Sequence, residues 1–389
     1  MTSVPPSPPR ALYWRLSGFY LAYFAVLGAL VPYWGLYLQS IGFGAAQIGE
    51  LVAILMATKL LAPYVWGAIA DHTGRRVALI RLASLLAALV FAGVLVGSGY
   101  VWLALVMAGF SFFWNAALPQ FEAVTLSHLG DATHRYSVIR LWGSIGFILS
   151  VVVLGAVFDR YGVAGLPYVL LALLGVIWLT SLMVPEHRGV GQALPHPPLS
   201  QVLRRPDVLA LLLVCFLMQA SHGPYYTFFT LYLEAYGYSR AAIGQLWALG
   251  VIAEIGVFLV MHRWLPRFGA RRLLLISLAL TTLRWLLIAG FADSLPVILF
   301  AQTLHAASFG IYHAVSIHLI HQFFIGRNQG RGQALYSSLS FGAGGAVGSL
   351  AAGYLWAGLG PEWTYVAAAL VGALAWAVAY RGLAGASLR

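Results

Sequence analysis

"GLYLQSIGFGAAQIGEL", residues 35–51, returns as "TLYLEAYGYSRAAIGQL", residues 230–246. The two stretches align without a gap, at an offset of 195 residues. Leu36, Tyr37, Leu38, Gly42, Ile48, Gly49 and Leu51 recur as Leu231, Tyr232, Leu233, Gly237, Ile243, Gly244 and Leu246. The same offset carries Gly74, Arg76 and Leu79 onto Gly269, Arg271 and Leu274. Leucine and glycine matches come cheaply in apolar helices, but this many at one offset indicate that the chain is built twice from one unit.

Composition says what medium the unit sits in. Of 389 residues, 61% are hydrophobic and only 8% are charged, against roughly 25% charged in a soluble domain. A water-solvated surface is therefore not available, and the chain reads as an integral membrane protein. The formal charge of +11 does not indicate nucleic acid, because such a face clusters its charge on one element, whereas these arginines lie between apolar runs. The one cysteine, Cys215, excludes a disulfide framework.

A membrane-crossing helix needs about 20 apolar residues. Twelve such runs are expected, near 14–39, 47–69, 77–97, 100–126, 137–158, 165–184, 208–234, 241–263, 271–291, 294–320, 333–356 and 361–381. They are continuously apolar, not alternating, which favours an all-α bundle over a barrel. Arg75, Arg76, Arg135, Arg204, Arg205, Arg271 and Arg272 fall in one set of loops, while the opposite set carries only Arg160 and Arg240. The arginine-rich side is expected to be cytoplasmic, with both termini on it. The longest loop divides the chain: a disordered tail 1–13, a six-helix bundle 14–185, a cytoplasmic linker 186–207 and a second six-helix bundle 208–389. Parallel repeats of six spans build a large class of transporter, with the substrate site near midplane between them.

After the second run comes "GAIADHTGRRVAL", residues 67–79. With Gly67, Asp71, Gly74, Arg75 and Arg76 in register, it resembles the loop signature of the major facilitator superfamily. In this reading Gly67 permits close helix approach, Asp71 caps the next helix, and the arginines anchor at headgroups. A degenerate copy at 262–275 lacks the aspartate. "IRLWGSIGF" (139–147), "QASHGPYYTFF" (219–229), "YGYSRAAIGQLWALGVIAEI" (236–255) and "LRW" (283–285) resemble the phenylpropionate permease family. That family is related to lactose permease and other oligosaccharide and nucleoside proton symporters. The resemblance implies a proton-coupled importer in the bacterial inner membrane, working as a monomer on a small solute, with a proton gradient and no cofactor. The namesake of the family takes up an aromatic carboxylic acid.

A charge near the bilayer centre is costly and marks a functional position by default. Lys59, Glu122, Arg140, Glu254 and Arg284 qualify, together with the histidines of span ten. Glu122 and Arg140, at comparable depth on consecutive spans, are similar to the acid and arginine that bind substrate in lactose permease. The resemblance likewise places Glu254 and Arg284 in proton coupling, with His305 or His313 beside them. Lactose permease has a further acid one turn after its span-ten histidine, whereas this chain has Ser308 or Ser316 there, so its proton-release site does not transfer. At 100° per residue, Gln302, His305, Phe309, Tyr312, His313 and Ser316 share one stripe, expected to face a cavity. Asn115, Tyr226 and Trp247 complete the candidate substrate-binding set with Lys59, Glu122 and Arg140. Lys59 is the chain's only lysine, and the repeat offset maps it onto Glu254.

The expected function is secondary active import of a small organic solute, most simply an aromatic carboxylate such as 3-phenylpropionate. The deep cations outnumber the deep acids, which leans toward an anion. A neutral oligosaccharide or nucleoside symporter is the alternative, and a non-transporting sensor or an intramembrane enzyme the reading from a different class. No metal site is expected, since the histidines lack a cysteine or carboxylate cluster.

Overall fold

The computed structural model describes residues 10–186, 199–326 and 328–384. Part of the expected tail 1–13 and most of the linker 186–207 lie outside the described residues. Eleven helices are long and apolar enough to cross a bilayer. They are α1 (Arg10–Ser40), α2 (Ala45–Thr73), α3 (Arg76–Leu95), α4 (Tyr100–Leu129), α5 (Tyr136–Tyr161), α6 (Val163–Leu182), α7 (Pro206–Ala235), α8 (Arg240–Phe268), α9 (Ala270–Gly290), α10 (Leu295–Phe323) and α12 (Pro361–Gly382). A further helical run, α11, covers 328–359 and is not among the eleven. It consists of Asn328–Ser337, a π-helical stretch Ser338–Gly344, and Gly345–Leu359, and it opens on the polar run "NQGRGQ".

Residue chemistry marks the ends. Helices stop where glycine takes up the left-handed region, at Gly74 (φ 65°), Gly162 (φ 77°) and Gly360 (φ 92°). Proline opens α7 and α12 at the first helical position, where its missing N–H costs nothing.

Four of these helices are interrupted part way along. α2 tightens to a 3₁₀ turn at Thr58–Leu60, and Pro63 lies four residues beyond Lys59. Proline has no N–H to offer the Lys59 carbonyl. The Ser338 hydroxyl, reaching over from α11, donates to that carbonyl instead at 3.4 Å. α7 breaks at His222, just before Gly223 and Pro224. α10 and α11 widen to π-helix at Ala306–Ile311 and Ser338–Gly344.

The first six helices meet the last six along α2–α11, α5–α8 and α1–α7. Two of these seams are drawn tight by glycines that the repeat superimposes. A Cβ on Gly49 of α2 would lie 2.7 Å from the Gly353 Cα and from the Ser349 carbonyl oxygen of α11. A Cβ on Gly244 of α8 would lie 2.5 Å from the Val151 carbonyl oxygen of α5. Polar clamps join the same end of the bundle. The Glu50 carboxylate accepts from the Tyr100 hydroxyl and, across the seam, from the Tyr354 hydroxyl. Arg240 pairs with Glu234 at 2.7 Å, donates to the Phe158 carbonyl at 2.9 Å, and its backbone N–H donates to Asp159. This is the arginine-poor end.

Gly49→Leu therefore forces α2 away from α11. The expected result is faster alkylation of a cysteine placed at Ala46, in a Cys215→Ser background, than in the same reporter protein with Gly49 intact. An unchanged rate would mean the seam tolerates bulk.

Candidate functional site

An apolar cavity lies between α1, α2, α4 and α7, walled by Trp34, Leu55, Met56, Lys59, Trp114 and Tyr226. Lys59 is half-buried. The nearest partner of its ammonium is the Met56 sulfur at 3.7 Å, a weak acceptor. Among the described residues no carboxylate lies within 4.0 Å of it. The 3₁₀ turn that presents Lys59 is held from α4: Asn115 Nδ2 donates to Thr58 Oγ1 at 2.9 Å, and the Thr58 hydroxyl bonds Ser111 Oγ at 2.9 Å. Asn115 is thus occupied with the turn. Trp114 stacks on Tyr23 at 5.0 Å and Trp34 on Tyr37 at 5.2 Å.

The second cluster is in the last six helices. Arg284 is fully buried and every guanidinium nitrogen is used. Its Nε donates to the Ala301 carbonyl at 3.0 Å, Nη2 to Gln302 Oε1 at 2.9 Å, and Nη1 to Ser308 Oγ at 2.9 Å and His305 Nδ1 at 3.1 Å. Its carbon lies 4.2 Å from the Tyr225 ring centroid and 4.7 Å from that of Trp285, within cation–π range. Gln302 continues the network to the Tyr225 hydroxyl at 3.1 Å and to the Leu246 carbonyl at 2.9 Å. On its far side, His305 Nε2 is 3.6 Å from Glu254 Oε2, and the Glu254 side chain keeps 16% of its surface exposed. Trp247 packs on Tyr225 at 4.5 Å and donates to Thr230 at 3.2 Å, so it supports this cluster from behind.

Glu122 and Arg140 do not touch: no ion pair within 4.0 Å joins them. Glu122 accepts from the Tyr136 hydroxyl at 3.2 Å. Arg140 lies over Phe24, 3.9 Å from the ring centroid, with Tyr20 at 5.7 Å. Gly143 makes the space: a Cβ there would sit 2.6 Å from Arg140 Nη1. Arg140, Glu254 and His313 are near enough for their charges to act on one another, although they come from α5, α8 and α10.

The stripe expected on α10 is divided, because a π turn does not keep 100° per residue. Gln302, His305 and Ser308 turn to Arg284 as described above. Tyr312 and Ser316 turn to α7 and α11: the Tyr312 hydroxyl donates to the Cys215 carbonyl at 3.3 Å and bonds Ser340 Oγ at 3.0 Å, and the Cys215 thiol meets Ser316 Oγ at 3.6 Å. His313 is half-buried, bonded to the Tyr336 hydroxyl at 2.9 Å and stacked on Phe309.

The loop motif also differs from its expected chemistry. Asp71 does not cap α3. It pairs with Arg76, whose other arm donates to Gln120 at 2.6 Å. The cap comes from Glu186, more than a hundred residues away, which accepts from the Val77 and Ala78 N–H groups at 3.1 and 3.2 Å. Gly67 is not a tight crossing either, since a Cβ there would meet only the Gln120 amide at 3.8 Å. Gly74 ends α2, and Arg75 is exposed.

Comparison with known proteins follows the same lines. The MFS_1 like family matches residues 13–367. A protein of Escherichia coli K12 described as a probable 3-phenylpropionic acid transporter is 31% identical over 358 residues, covering 88% of this chain and 90% of that protein. A maltose permease of Geobacillus stearothermophilus is 28% identical over 341 residues, covering 87% and 86%. A single-substitution form of the nucleoside transporter NupG superimposes with a TM-score of 0.84 at 16% identity, over 96% of this chain and 99% of that one.

Proposed function

This chain belongs to the MFS_1 like family of membrane transporters, and from that premise we propose that it is a proton-coupled symporter importing a small aromatic carboxylate, such as 3-phenylpropionate, by alternating access. It crosses the inner membrane twelve times, with both termini at the arginine-rich cytoplasmic face. It works as a monomer on the proton gradient, without a cofactor or nucleic acid.

The Arg284–His305–Glu254 arrangement carries the reading. A guanidinium has donors and no acceptor, so His305 Nδ1 accepts from Arg284 and the ring's own proton sits on Nε2, facing Glu254. A second proton on Nδ1 would set N–H against N–H. His305 therefore stays neutral, and the exchangeable proton falls to Glu254. That carboxylate has no arginine within ion-pair distance among the described residues and is partly open, so it can gain and lose a proton without dismantling a direct ion pair. The substrate class draws support from the aromatic walls around Lys59 and from the name of the E. coli relative. The maltose permease supports a neutral sugar instead, but the cavity presents few hydroxyl-binding groups.

The test is uptake of radiolabelled 3-phenylpropionate into proteoliposomes. Accumulation is expected with an inward proton gradient and is expected to collapse with a protonophore. Accumulation indifferent to the gradient would overturn coupling.

A further inference from the structure

We propose that Lys59, and not the Glu122/Arg140 pair, is the group that seats the substrate carboxylate and makes the carrier prefer an acid to its neutral analogue. The inference rests on the aromatic-carboxylate reading above and assigns the recognition step within it.

The three deep cations are not equally free. Arg284 spends all its nitrogens on Ala301, Gln302, His305 and Ser308, and its guanidinium carbon lies 4.2 Å from the Tyr225 ring centroid and 4.7 Å from that of Trp285. A carboxylate could reach it only by dismantling that cage. Arg140 is drawn onto the Phe24 and Tyr20 rings and lies within reach of the charge on Glu122, so an incoming anion would compete with both. Lys59 has three donor hydrogens and one thioether. Stripping part of an ammonium's hydration without supplying a counter-ion is costly, and an arriving carboxylate relieves that cost at Lys59.

The cavity beside the ammonium has a volume of about 30 Å³ in this structure, so an aryl ring enters by parting the Trp34, Trp114 and Tyr226 side chains that line it. Tyr226 belongs to the last six helices, whereas Lys59, Trp34 and Trp114 belong to the first six, so one small molecule can touch both. The turn bearing Lys59 is fixed by the Asn115, Thr58 and Ser111 hydrogen bonds, and its carbonyl is held by Ser338 of α11. A seated carboxylate therefore acts at a point where the two groups of helices are already joined.

The experiment is isothermal titration of the purified full-length protein with 3-phenylpropionate and with 3-phenylpropionamide, its neutral isostere. The wild type is expected to bind the acid more tightly than the amide. Lys59→Met is expected to weaken acid binding by about 10- to 100-fold, the range for one hydrogen bond to a charged group, while amide binding stays within about twofold. Retained amide binding shows that the cavity is folded. Lys59→Arg is expected to recover part of the acid preference. If Lys59→Met keeps the wild-type preference, or if Arg140→Gln abolishes it and Lys59→Met does not, the assignment is overturned while the substrate class stands. If the wild type binds neither compound, the aromatic-carboxylate reading itself falls, and the assignment with it.

Discussion

Glu254→Gln is expected to abolish accumulation of 3-phenylpropionate against its gradient while leaving exchange of internal for external substrate in place. Glutamine keeps the size and hydrogen bonding of a protonated glutamate but cannot release a proton, so the variant is held in the proton-loaded form. Each unit of pH gradient is worth about 1.4 kcal/mol to a one-proton symporter, a tenfold concentration ratio. Across a gradient of about two units, the wild type should reach on the order of a hundredfold accumulation and the variant should stop at equality. Counterflow needs no net proton movement and should persist. Concentrative uptake by the variant would remove Glu254 from coupling. Loss of counterflow as well would place Glu254 in the reorientation step itself. His305→Gln separates the neighbouring role: it keeps an acceptor near Arg284, so its defect should be smaller than that of Glu254→Gln.

The second large effect is on stability. Arg284→Ala removes four donor contacts at once and leaves the Ala301 carbonyl, the Gln302 amide oxygen and His305 Nδ1 facing a void. Stranding buried acceptors costs about 1–3 kcal/mol each, and losing one member of a buried charged network typically costs about 3–5 kcal/mol. A clear fall in the thermal midpoint of the purified protein is expected. Lysine at 284 should recover little, because one ammonium cannot reproduce a fork that reaches four separate acceptors and lies against Tyr225 and Trp285. A midpoint near that of the wild type would show that the cage is incidental to folding.

Much of the helical architecture was legible because apolar run length is set directly by bilayer thickness. The apolar run 333–356 lies within α11, whose first residues, "NQGRGQ", are polar and whose place is set by packing on α2 and α7. The site was legible as residue types and illegible as partners. Lys59, Glu254 and Arg284 stand out because charge is rare in such runs. That Ser308 would join Gln302 and His305 around Arg284 depends on the π-helical stretch Ala306–Ile311, and the sequence of α10 does not announce a change of pitch. The exchange of roles between Asp71 and Glu186 is long-range and has no local signal. The Glu50–Tyr354 and Arg240–Phe158 clamps were also missed. Arg240 had offered a hint, as one of only two arginines on the arginine-poor side.

The glycine seams at Gly49 and Gly244 bear on how such a molecule moves. Interlocked leucines resist separation like meshed teeth, because each must leave its pocket and choose a new rotamer. Where backbone meets backbone there are no teeth and almost no side-chain entropy to lose or regain. Dispersion holds the two surfaces together only at close range, and a gap of about 0.5–1 Å already forfeits a quarter to a half of it. Such a joint is firm when shut, has nothing to unmesh when it opens, and closes again without searching for a fit. The glutamate and arginine clamps beside it then set how long it stays shut, and a duplicated chain supplies two such joints from one ancestral surface.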